Sequence, residues 1–579
     1  MDAVKRVGPE FYGDGSSLPF PSLETLCFQD MQEWEKWIHP GSGQEVECYS
    51  KLRELCLVNC SELQGNFPEH LPLVEKLVVE NCKQLLLSIP SLPELRKLEI
   101  SGCKEVMWRS TINLSSLNSV VFGDISNQAF LTGLLKQELP NLEELEIECC
   151  EELTCLWQNG SGMLQEVSSI HEWNIGSPLH LSLSAEEEQD QQHQRLPRKL
   201  QYLKLKCCQA LVTLPQALLS LSSLRHIEIF DCNSLVSFPE AALPSQLKTI
   251  TIMDCNALKS LPEKRYTCVL ENLIIGYCEN LEHLDELPAT LQHLDLGDCS
   301  KLAFFRGNLP KSLKYFHVYA CPKLVSIAEN LDDNTSLEVI MISNCNNLKF
   351  LPDGLCKLRH LQEICVRDCP NLVSFCKGAL LSTKLTKLWI NGCEKLETLP
   401  NCISLTSLQN LAIGNCPEIA SIPEYGTPTN LTSLGISDKN CQPFFKWGLS
   451  RFTSLKQLSI RGCLDVVSFP QEENGMMLPA SLSLLDIFNF PNLEWLSSKV
   501  GSLTSLESLH LSDCPKLKYF PRNGLPSSLL QLYIKSCPMI EEKCRKGEGQ
   551  YWHLIIHIPY VSINDSCVFD HATEEDSVL

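Results

Sequence analysis

The sequence predicts an α/β repeat solenoid, a horseshoe or superhelix with a parallel concave sheet and a mostly extended or 3₁₀ outer face. Two observations carry that expectation. One short apolar unit recurs about every 21 to 25 residues along nearly the whole chain, and many copies are followed by Leu-Pro or Phe-Pro. A chain of 579 residues would ordinarily suggest several globular domains of roughly 150 residues each. Self-similarity at a short fixed period overrides that expectation.

The unit is L-x-x-L-x-I/L-x-x-C-x-x-L, the pattern of a leucine-rich repeat. Leu224, Ile227, Ile229, Cys232 and Leu235 form one copy, and Leu247, Ile250, Ile252, Cys255 and Leu258 form the next. Of 21 units, 17 carry cysteine in the slot after the strand, and the other four carry Met31, Ile125, Lys439 and Phe490. The L-x-L alternation has the period of two that turns both aliphatic side chains to one face of a short strand. A small thiol in the slot fills space where the chain turns inward and can donate weakly to a nearby carbonyl. A charged head at Lys439 would be costly in a packed turn, so a local distortion is expected there, with Cys441 taking the slot's place. Leu214-Pro215, Phe238-Pro239, Leu261-Pro262, Leu351-Pro352, Leu399-Pro400, Phe469-Pro470 and Phe520-Pro521 disfavour helix before each proline. The outer face should therefore hold few regular helices. No unit buries its own aliphatics, so neighbours must stack on a shared core.

This reading assigns 1–22 to the remnant of a longer array, 23–540 to the solenoid, 541–564 to a C-terminal cap and 565–579 to an acidic disordered tail. A gap of 58 residues separates Leu142 from Leu200 and contains an acidic insertion near 154–196, with the run Ala185 to Gln194 expected to be a solvated loop. The apolar stretch Tyr551 to Tyr560 suits a cover for the open end of the core.

Composition narrows the function classes. A net charge of −22 argues against nucleic-acid or anionic-membrane binding, both of which draw on a surplus of Lys and Arg. The sequence contains neither a run of about 18 apolar residues long enough to span a membrane nor an apolar signal core after Met1. The expected compartment is cytoplasmic or nucleocytoplasmic, and the 31 cysteines should then be mostly reduced thiols. The phosphate-binding loop G-x-x-x-x-G-K-[ST], the G-x-S-x-G elbow, H-E-x-x-H and C-x-x-C pairs are all missing from the sequence. No catalytic residue, metal ligand or cofactor is therefore assigned to this chain.

Function is expected on the strand positions that point out of the core, the second, fourth and sixth after each unit's first leucine. They yield Tyr202, Lys204 and Lys206; His226 and Phe230; Tyr315, His317 and Tyr319; Arg367; Lys387 and Trp389; Arg461; and Tyr533 and Lys535. Aromatic residues and arginine dominate protein interfaces. Glu144, Glu146 and Glu148 precede Tyr202, Lys204 and Lys206 in this register, a change of charge able to orient a partner.

Three segments are more specific than the repeat. They are the opening Met1-Asp2-Ala3-Val4-Lys5-Arg6-Val7-Gly8-Pro9-Glu10-Phe11-Tyr12-Gly13 leading to Phe20-Pro21-Ser22-Leu23-Glu24, the stretch Ser101-Gly102-Cys103-Lys104-Glu105-Val106, and the run from Glu541-Glu542-Lys543-Cys544-Arg545-Lys546 through Gly549-Gln550-Tyr551-Trp552-His553 to His557-Ile558-Pro559-Tyr560-Val561. In these the chain resembles the leucine-rich-repeat region of plant coiled-coil NB-ARC disease resistance proteins of the RPP-thirteen-like class, lacking the NB-ARC and coiled-coil domains. The resemblance implies an intracellular immune receptor's recognition region, sensing a pathogen effector or a guarded host protein, with an NB-ARC domain as partner in a full-length relative. The competing class is the substrate-binding repeat adaptor of a ubiquitin ligase. That class calls for an F-box bundle ahead of the repeats, for which 1–22 is too short, and for a helical outer face.

Overall fold

The computed structural model describes residues 4–570 apart from 9–10, 12–19, 39–48, 66, 69, 109–113, 126–127, 136, 155, 158–195, 239–242, 262–267, 306, 328–330, 332–335, 353, 376–381, 398, 400–406, 420–428 and 472–474. The chain divides into two compact units, Met1–Leu281 and Glu282–Leu579.

In the first unit ten strands, from Thr25–Gln29 to Asn272–Gly276, pair in chain order, all parallel. Alternation decides which side chains go inward. In His226–Phe230, Ile227 and Ile229 are buried while His226, Glu228 and Phe230 face out. Each buried aliphatic meets its equivalent on the next strand, as Ile227 meets Ile250 and then Leu273. The insertion leaves this ladder intact, since Glu144 pairs directly with Tyr202 and Glu148 with Lys206. The acidic run 185–194 itself lies outside the described residues. At the other end Trp34 is fully buried between Phe28, 4.7 Å away, and Trp37, 5.6 Å away.

The second unit repeats the plan with eleven parallel strands, from His293–Gly297 to Gln531–Lys535. Tyr560–Ile563 then adds in parallel to the last of them and Ser566–Asp570 closes the sheet antiparallel. The order expected to end at 564 therefore continues to 570. Val561 pairs with Phe569, and Lys535 bonds Asp565 at 2.6 Å, which ties the hairpin to the sheet. Residues 571–579 are outside the described residues.

A single turn geometry follows nearly every strand. The residue just before the slot has a left-handed backbone, with φ between 48° and 63° in the first unit and between 49° and 70° in the second. Asp, Asn and Gly dominate there, as at Asp231, Asp254, Asn344, Asp368 and Gly392, because only these residues enter that region at low cost. The turn lets three backbone or thiol groups bond at once. Asp231 N–H donates to the Met253 carbonyl of the next strand at 2.9 Å, the Cys232 thiol to the Phe230 carbonyl at 3.5 Å, and Leu235 N–H to the Cys232 carbonyl at 3.1 Å. The same set recurs at Asn344, Cys345 and Leu348 in the second unit. The thiol-to-carbonyl bond expected of the slot is thus a regular feature.

The expected irregularity at Lys439 takes a definite form. Lys439 is exposed within a 3₁₀ turn, Asp438–Asn440, and the helix Cys441–Trp447 follows. Asn440, only 1% exposed, fills the vacated space and clamps the neighbouring turn, accepting from Cys416 N–H at 2.8 Å and donating to the Cys416 carbonyl at 2.9 Å. Cys441 is buried and disulfide-bonded to the next slot cysteine, Cys463, with Cα atoms 6.5 Å apart. That pair is an exception among described cysteines that are otherwise free thiols.

Away from the main sheet the chain is largely extended or 3₁₀, as in Gln216–Ser220, Leu355–Lys357 and Leu449–Arg451. Two-strand parallel ladders such as Leu86–Ile89 with Glu105–Trp108 also occur there.

Two expected outcomes follow from the turn. Asp254 is exposed, so Asp254→Val tests the backbone alone and should lower stability to urea by about 1–2 kcal/mol, while Asp254→Gly should leave it near wild type. Burial pushes the Cys103 and Cys255 thiols up to about 12, so both stay protonated and unreactive at neutral pH. At pH 7.5 a disulfide-exchange reagent should modify exposed Cys27, Cys149 and Cys567 in the folded chain and the slot cysteines only after unfolding. Equal rates before and after unfolding would contradict this.

Candidate functional site

The strand alternation that buries the leucines leaves rows of side chains running across the strands on the solvent face of each sheet. Register decides which of them meet.

In the first unit Tyr202, Lys204 and Lys206 lie between Glu144, Glu146 and Glu148 on one side and His226, Glu228 and Phe230 on the other. The change of charge is satisfied within the sheet. Lys204, 22% exposed, reaches Glu146 at 3.0 Å and Glu148 at 2.8 Å. Partial burial works against its charge, yet the two carboxylates hold its ammonium above the ordinary lysine value. The Tyr202 hydroxyl donates to Glu228 at 2.9 Å. Burial first, and then that bond, push its phenol upward. Most of the charge here is spoken for by neighbours.

In the second unit the predicted residues fall into separate groups. Tyr315, His317 and Tyr319 share one strand, with His317 stacked on Tyr319 at 4.9 Å and 3.1 Å from Asp295 on the preceding strand. Gly297 makes room for this stack, since a Cβ there would come within 1.9 Å of the Tyr319 ring. Arg367 and Lys387 converge on Trp389, at 5.3 and 6.0 Å from its ring centre, and Lys387 also pairs with Glu363 at 3.2 Å. Arg461 lies 4.2 Å from the ring centre of Phe488. Tyr533 packs against His510 at 4.5 Å and Tyr560 at 5.4 Å.

Asp295, Glu363, Phe488 and His510 are the partners that the sequence reading did not name. Each occupies a second, fourth or sixth position of its own unit, so the rule that found the others also reaches them. Of the three strands between those of Arg367 and Arg461, the first presents Lys387 and Trp389, and the next two carry Ala412 and Gly435 in the central row, which floor a depression of about 630 Å³ lined on one side by Trp389.

Among the described residues no cluster of His, Cys, Asp or Glu is arranged to hold a metal ion, and no helix is long and apolar enough to cross a membrane.

His510 gives the face a pH dependence. Burial, opposed by Asp486, holds its imidazole below the ordinary value of 6.5. The folded chain therefore keeps it neutral, and unfolding takes up a proton. The stability it contributes is complete above the unfolded value and is lost as pH falls through the depressed folded value. His510→Gln should flatten the fall in melting temperature between pH 7 and 5. An unchanged slope would show that His510 does not carry it.

No protein-family model matches the chain. By sequence it is similar to a disease resistance protein of Arabidopsis thaliana, 28% identical over 97% of this chain, and to TMV resistance protein N of Nicotiana glutinosa, 29% identical over 42% of it. The chain spans 42% of the length of the first relative, and its match to the second covers 22% of that protein. Among solved structures it aligns with YopM from Yersinia enterocolitica at 19% identity and a TM-score of 0.39, covering 85% of this chain and 95% of that one. The chain is a leucine-rich-repeat solenoid similar over nearly its whole length to a plant disease resistance protein.

Proposed function

We propose that the chain is the protein-recognition region of an intracellular plant immune receptor, sensing a pathogen effector or a guarded host protein without catalysing a reaction. One observation carries this reading. The solvent face of the second unit's sheet holds arginines and aromatics in mutual contact, Arg367 with Trp389 and Arg461 with Phe488, the residue types that anchor protein interfaces. The similarity to plant resistance proteins supplies the biological setting. In the full-length receptor an NB-ARC switch domain would be the second partner, restrained by the repeats and released on recognition, and the working compartment would be the cytoplasm or nucleocytoplasm.

The test is a two-hybrid screen of pathogen effectors and host proteins, followed by binding measurements on variants. Tyr315→Ala, Tyr319→Ala and Trp389→Ala should each weaken the recovered interaction, at least one by 30-fold or more, as removal of an anchor worth about 2 kcal/mol requires. Circular dichroism should show the fold unchanged. If all three bind as wild type while substitutions on the outer face abolish binding, recognition by the sheet face is wrong.

A further inference from the structure

We infer that the depression between Arg367 and Arg461 is a receptor for an extended acidic segment of a protein partner, read by two carboxylates about 19 Å apart. The inference rests on the recognition role proposed for this face and names the chemistry of the partner.

The two arginines occupy equivalent places. Arg367 ends one strand, and register carries that row through Asn391, Gly414 and Ser437 to Arg461. Four strand spacings of about 4.8 Å put their backbones roughly 19 Å apart. Each guanidinium is braced by a ring, Trp389 at 5.3 Å and Phe488 at 4.2 Å. A ring face orients the planar cation and leaves its N–H fork free. Neither arginine is ion-paired among the described residues. This sets them apart from Lys204, Lys387 and Lys535, which hold Glu146, Glu363 and Asp565. In a chain of net charge −22, two ring-braced guanidiniums that face one depression and have no carboxylate partner among the described residues call for anionic groups from outside.

The floor between them decides the shape of the ligand. Beyond Trp389 the central row is open at Ala412 and Gly435, and a Cβ built on Gly435 would meet only Ala412, its Cβ at 3.4 Å. Backbone can therefore approach the sheet closely there. At about 3.3 Å per residue an extended segment covers the distance in about six residues. The matching partner carries Asp or Glu at i and i+6 with small side chains between. Carboxylate and guanidinium fit bidentately, which rewards this spacing above charge alone.

The test uses the full chain and fluorescein-labelled peptides read by anisotropy. One peptide carries two glutamates at i and i+6 in a Gly/Ala/Ser stretch, a second carries them at i and i+2, and a third has glutamine in their place. The i, i+6 peptide should bind at least 10-fold more tightly than either other, and less tightly as salt is raised. Arg367→Gln and Arg461→Gln should each remove about 10-fold. Gly435→Leu, which fills the floor without touching either arginine, should abolish binding while circular dichroism stays unchanged. Equal binding of the glutamate and glutamine peptides, equal binding of the two spacings, indifference to Gly435→Leu, or preference for a single-stranded oligonucleotide over the i, i+6 peptide would each overturn the inference. Such a failure leaves recognition by the sheet face standing, because that reading fails only if the Tyr315, Tyr319 and Trp389 variants all keep full affinity for the recovered partner while substitutions on the outer face abolish it.

Discussion

The parallel strands of both main sheets depend on a left-handed residue where each one ends. Were the residue before the slot to stay extended, the next side chain would point back to solvent and the slot cysteine could not enter the core. With φ near +50°, as at Asp231 and Asn344, the chain folds inward, the thiol returns to its own strand's carbonyl, and the freed N–H reaches across to the next strand. One conformational choice therefore joins the covalent neighbour to the spatial one. The preference for small buried thiols follows from it, since a longer side chain at that point must find its own way out. Lys439 does so, and Asn440 takes over the inward position with two hydrogen bonds to Cys416.

The strands and slots were legible because their signal is local and repeated. Leu-x-Ile before a cysteine, as at Ile227 and Ile229, specifies both period and face. The left-handed position was legible in principle, for Asp, Asn or Gly precedes the slot at Asp30, Asn59, Asp254, Asp298, Gly392 and Asp513, but the exceptions Cys149, Cys207, Tyr277, Ala320 and Ser536 obscure it when cysteines are counted first. The strand Ser566–Asp570 carries no leucine pair. It forms because the last parallel strand leaves an edge that a hairpin can close, a reason seated in the neighbour and not in its own residues. Cys441 with Cys463 is similar, since 22 residues separate them and only stacking of turns brings the two sulfurs together.

Outward positions follow the same period of two, so the candidate residues could be named from sequence. What each one does required register. Lys204 looks like a free cation until Glu146 and Glu148 are set beside it, whereas Arg461 gains a ring and no acid. A list of exposed side chains mixes charges already neutralised with charges still available. The distinction moves the functional weight toward the Arg367 and Arg461 rows.

The direct pairing of Glu144 with Tyr202 has a consequence for how such a chain changes over time. Successive strands keep step although the connection between them is far longer than its counterparts elsewhere, so register is set by the strands and turns and not by the length of what joins them. Sequence can be gained or lost at that junction without disturbing the rows on either side. The array can acquire appendages there while its recognition rows stay aligned, which makes the junction a natural place to graft a reporter or a foreign epitope.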